Sequence, residues 1–114
     1  MAQTMSRPWS EIRRVYADAP RFAWTDGMLA LVDRLADSSL HAWTSMFDLC
    51  VTLAPATYPH EGLMIKVSPV PETELLELRW STDQAHVVPA SDSIAAFERL
   101  ASQHSWHMAP GHRA

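Results

Sequence analysis

The sequence predicts an α+β fold, a two-layer sandwich in which N-terminal and C-terminal helices pack on a three- to four-stranded antiparallel β-meander. Three observations lead there. Apolar residues recur at helical spacing up to Leu35, alternate with period two from Trp43, and return to helical spacing after Ser91. The strand-like segments are joined by short proline-bearing links, and sequential strands so joined pair as antiparallel neighbours. A chain of 114 residues, 47% hydrophobic and 19% charged, has globular proportions. Such a chain buries about two-thirds of its surface, enough for a core without metal or disulfide staples.

Trp9, Ile12, Val15 and Tyr16 stand at helical spacing behind Ser6 and Pro8, which predicts a short first helix ended by Asp18-Ala19-Pro20. Thr25 or Asp26 offers the capping oxygen for a second helix, whose apolar stripe is Met28, Leu29, Leu31, Val32 and Leu35 and which closes at Ser38-Ser39. In the next segment Phe47, Leu49, Val51 and Leu53 alternate with Met46, Asp48, Cys50 and Thr52. The alternation predicts one strand with the first set turned to the core. Pro55 and Pro59 stop it, because proline cannot donate into a ladder. After a loop at 54–61, Leu63, Ile65 and Val67 form the inner set of a second strand, and Leu76, Leu78 and Trp80 that of a third. Ala85 to Val88 adds a brief edge strand before Pro89. The last helix runs from about Ser91 to His104 with Ser91 or Asp92 as cap and Ile94, Phe97, Leu100 and Ala101 inside. One domain is expected over 1–108, with a frayed tail at 109–114.

Composition excludes several functions. The net charge is −4 and Lys66 is the single lysine, so no basic footprint for a nucleic-acid backbone exists. No nucleic-acid partner is expected. No window has the 18 or so apolar residues that span a bilayer, so no membrane partner is expected either. The N-terminus has no apolar stretch of the signal-peptide kind and Cys50 is the single cysteine, which together point to the cytoplasm. Only Gly27, Gly62 and Gly111 are glycines, too few for a phosphate-cradling loop.

His60-Glu61 opens like a zinc-protease motif, but position 64, where the second histidine belongs, holds Met64. His104 and His107 lie one turn apart with His112 beyond, a place where imidazoles also suit the last carbonyls of a helix. Cys50 falls mid-strand, which suits a packed thiol better than a nucleophile. Ser38, Ser39, Thr44 and Ser45 have no nucleophile elbow around them. Asp48 and Glu77 share a sheet face with Lys66 and Arg79, the pattern of cross-strand charge pairing rather than of a glycosidase pair. Glu72 and Glu74 flank the third strand. Of five tryptophans, Trp80 reads as core, while Trp9, Trp24, Trp43 and Trp106 fall near element ends. No metal or cofactor is expected, and no catalysis.

What remains is a surface. Strand parity puts Met46, Cys50, Met64 and Leu75 on the outer face of the meander with Lys66, Arg79, Asp48, Thr52 and Glu77, more apolar than a face left to water. Two covers are expected for it: the chain's own Trp9, Ile12 and Tyr16, or a protein partner or second copy meeting Met46, Cys50, Met64, Lys66, Leu75 and Arg79. The function expected from this surface is that of a small interaction module, an inhibitor, immunity-type or accessory protein. The alternative is a small-molecule-binding domain or modest enzyme with a pocket on or under the sheet.

Overall fold

Three apolar stripes at helical spacing build three helices in the computed structural model, which describes residues 3–58 and 62–108. They are α1 (Trp9–Ala17), α2 (Thr25–Ala36) and α3 (Ser93–Gln103). Between and around them run β1 (Gln3–Thr4), β2 (His41–Ser45), β3 (Asp48–Thr52), β4 (Thr57–Tyr58), β5 (Ile65–Pro69), β6 (Leu75–Ser81) and β7 (Gln84–Pro89). The main sheet is an antiparallel meander in the order β2-β3-β5-β6-β7, and β1 pairs with β4 apart from it. The α+β layout is as the sequence predicts, with five strands in the sheet instead of three or four.

Period two decides the faces. Leu49, Val51, Ile65, Val67, Leu76 and Leu78 all point to one side and are at most 1% exposed. Against them α2 places Met28, Leu31, Val32 and Leu35, and α3 places Phe97, Leu100 and Ala101, in one continuous cluster. Between β7 and α3 a single 3-10 turn (Ala90–Asp92) presses on α2. A β-carbon at Gly27 would lie 2.4 Å from the β-carbon of Ala90 and 2.5 Å from its carbonyl carbon. Helix α2 therefore needs glycine there for close approach rather than for a turn.

Several expectations are corrected. The single strand expected through 46–53 is two, because β2 and β3 form a hairpin in which Ser45 faces Asp48 and Met46-Phe47 is the two-residue turn. Such a turn inverts parity. Trp43 and Cys50 therefore share a face, and Phe47, expected in the core, is 36% exposed. Leu53 lies beyond the end of β3 and is 50% exposed. Ile94 is half-buried at the rim of the cluster. Helix α1 does not lie across the outer sheet face. Ile12 and Tyr16 join the inner cluster beside α2, and the Trp9 Nε1–H donates to the Leu40 carbonyl at 3.1 Å. The caps differ too. Trp24 is the N-cap of α2, and Thr25 accepts backwards from the Phe22 N–H at 2.8 Å. Asp92 caps α3 in position without a side-chain bond, while the Ser93 hydroxyl donates to the Ala90 carbonyl at 2.7 Å. His60, Glu61, His112 and the tail at 109–114 lie outside the described residues.

Candidate functional site

Each of the six residues expected at a partner surface has a definite place. Register aligns Trp43, Cys50, Lys66, Arg79 and Ala85 in one row across the outer face. Cys50 is 4% exposed between its neighbours, so its sulfur is no contact point. Arg79 is committed within the chain: its Nε and Nη2 donate to the two Glu77 carboxylate oxygens at 3.2 and 3.3 Å, and Nη1 donates to the Thr82 carbonyl at 2.9 Å. This ties Glu77 to Arg79 on its own strand. Met64, Lys66 and Leu75 are half-buried. Met46 is not on the face at all but at the hairpin tip, 90% exposed.

The tip belongs to a different surface, made by segments distant in sequence. Tyr16 closes α1, Phe22 and Trp24 lie in the link to α2, and Phe47 completes the turn. Phe22 stacks on Trp24 with ring centroids 5.1 Å apart and planes 8° apart, and Phe47 meets Trp24 at 5.8 Å and Phe22 at 6.0 Å. Tyr16 stands edge-on to Trp24 at 6.2 Å, and its hydroxyl donates to the Phe47 carbonyl at 3.0 Å, fixing the hairpin to α1. Phe22 is 45% exposed and Phe47 36%, and Met46, 90% exposed, precedes Phe47 in the turn. An ion pair between Arg21 and Asp26 flanks the rings.

The turn also carries strain. Met46 has φ of 57°, a left-handed backbone that a β-carbon disfavours by about 1–2 kcal/mol. Hairpin turns of two residues normally place glycine, asparagine or aspartate at such a position. Here an exposed methionine holds it. Strain together with an exposed apolar side chain is the combination expected where a side chain is kept for contact rather than for folding.

Nucleophilic chemistry finds no support at Cys50. Burial first, then the nearby Asp48 carboxylate, push its thiol up to about 11, against a partial opposite pull from Lys66. Burial raises the Tyr16 phenol in the same direction, helped by Asp48. A thiol that is harder to ionise folded than unfolded adds stability fully present below pH 9 and lost as the pH climbs towards 11. The urea midpoint is accordingly expected to fall between pH 8.5 and 10.5, and Cys50→Ala should flatten that fall. An unchanged slope in the variant would assign the alkaline loss to other groups.

Among the described residues no group of three histidine, cysteine, aspartate or glutamate side chains converges. His104 packs against Trp80, ring centroids 6.4 Å apart, and His107 is exposed. Under the sheet the buried cluster of α1, α2, α3 and the inner sheet face packs together. A groove of about 330 Å³ lies between the N-terminal segment, α1 and β2, lined by Met5, Arg7, Glu11, Val15 and Trp43 among others. No described helix is long and apolar enough to cross a membrane. No family model matches the chain, and no curated protein or solved structure is matched by it.

Proposed function

We propose that the protein is an interaction module that recognises a protein partner through the hairpin tip and its aromatic platform, with no catalytic step. One observation carries this reading: Met46 stands 90% exposed on a left-handed backbone, next in the chain to Phe47, whose ring meets that of the exposed Phe22 at 6.0 Å. Methionine is unbranched and polarisable, so it adapts to a partner's surface, and rigid rings beside it give contact area at little entropic cost. The half-buried outer-face residues Met64, Lys66 and Leu75 are secondary to this anchor in the proposal. Arg79, held by Glu77, and the buried Cys50 leave the contact set.

Two substitutions test it. Met46→Gly should leave the fold intact and raise stability by up to about 1 kcal/mol, because the turn loses its strain. In the native cell, the wild-type chain should retain a polypeptide in stoichiometric amount. Met46→Asp should lose that polypeptide at least tenfold, while Leu53→Asp, a charge at another exposed apolar position, should not. Retention that ignores Met46, or a small molecule retained in place of a polypeptide, would overturn the reading. The second result would move attention to the groove beside α1.

A further inference from the structure

The two edges of the main sheet are treated differently. At β2 the chain covers its own edge: the Ala42 carbonyl accepts the Arg7 N–H at 2.9 Å as residues 5–7 pass alongside. At β7 no described segment runs alongside in this way. The Ala90 N–H donates to the Glu74 carbonyl at 2.8 Å and the Val70 N–H to the Leu75 carbonyl at 3.0 Å. These two bonds fix the alternation, so even-numbered residues of β6 bond towards β7 and odd-numbered ones towards β5. His86 and Val88, opposite Leu78 and Leu76, therefore spend their main-chain groups on β6. Ala85 and Val87 turn N–H and C=O outwards, and among the described residues no other segment bonds to them. Val87 is 53% exposed, and β7 carries none of the lysines that blunt open edges.

Beside this edge runs a groove of about 150 Å³ against α3. Val88, Ala96 and Leu100 give it an apolar lining, and His86, Arg99 and Gln103 a polar one. Arg99 is exposed and forms no ion pair among the described residues. The adjacent acid, Glu98, is turned to Arg34 at 3.1 Å. No acidic residue lines the groove, so its charge is positive on a chain whose net charge is −4.

We infer that β7 and α3 receive an extended acidic segment of a partner protein as a sixth strand. Its main chain bonds to Ala85 and Val87. An aliphatic side chain fills the apolar part of the groove, and a carboxylate two residues away, hence on the same side of the added strand, meets Arg99. A second copy of this chain fits less well, because pairing β7 with itself supplies no carboxylate to Arg99: the strand from Gln84 to Pro89 has none.

The probe is a blocked pentapeptide, Thr-Val-Thr-Glu-Thr, compared with Thr-Val-Thr-Lys-Thr by amide chemical shifts at millimolar peptide. The acidic peptide should shift Ala85, Val87 and Arg99 and bind at least tenfold more tightly than the lysine peptide. Arg99→Glu, on an exposed helix position, should reverse the preference. Val87→Pro should abolish binding of both peptides, since the N–H it removes points away from β6; circular dichroism checks that the sheet survives. Absence of shifts at these residues would overturn the proposal, as would equal affinities or a preference unaffected by Arg99→Glu. Self-association of the wild-type chain that Val87→Pro abolishes and the acidic peptide leaves untouched would assign the edge to a second copy and overturn it too.

Discussion

Phe97→Ala is expected to cost about 3–5 kcal/mol of stability. The ring is fully buried on the inner face of α3 and belongs to the cluster that joins that helix to α2 and the sheet. Removing it loses the transfer free energy of the ring and leaves a void, which the surrounding residues close only in part. Single domains have total stabilities of about 5–15 kcal/mol, so that loss is a large share of the whole. Urea denaturation of both proteins measures the difference, and the slope should be unchanged if only stability moves. Phe97→Leu, which keeps much of the volume, should lose well under half as much. A loss below about 1 kcal/mol for the alanine variant would mean that the ring is not packed as described.

Gly27→Ala is expected to destabilise the protein by about 2 kcal/mol or more, although alanine is the better helix former by about 1 kcal/mol. The added methyl would lie 2.4 Å from the β-carbon, 2.5 Å from the carbonyl carbon and 2.6 Å from the oxygen of Ala90. Steric overlap at those distances outweighs the propensity gain, because two of the three atoms are backbone and cannot rotate aside. Ala90→Gly should therefore rescue Gly27→Ala only in part, which a double-mutant cycle reads directly. An increase in melting temperature for Gly27→Ala would show that the turn after β7 yields easily, and that α2 is not seated on it.

The sheet was legible in the sequence where alternation met a clear stop. The strands around Ile65 and Val67 and around Leu76 and Leu78 lie close to their expected positions, because Pro69 and Pro71 separate them. The β2–β3 hairpin was not legible. Its turn is Met46-Phe47, with neither glycine nor asparagine, so the alternation reads straight through it. The polar residues on either side, Ser45 and Asp48, were the one available signal. Unbroken alternation puts Met46 on a sheet face and Phe47 in the core, whereas the turn carries both to the hairpin tip.

The sequence by itself determined the α+β class, the inner face of the sheet from Leu49 to Leu78 and the apolar sides of α2 and α3, because periodicity is a local property of the chain. Only the tertiary structure decided the rest. Tyr16, Phe22, Trp24 and Phe47 come from three segments, and no spacing rule relates them until Tyr16 bonds to the hairpin. Helix α1 has an apolar stripe that suits either layer, and packing beside α2 chose the inner one. The open edge at β7 likewise follows from strand order, which is set by long-range pairing and by residues 5–7 closing the other side.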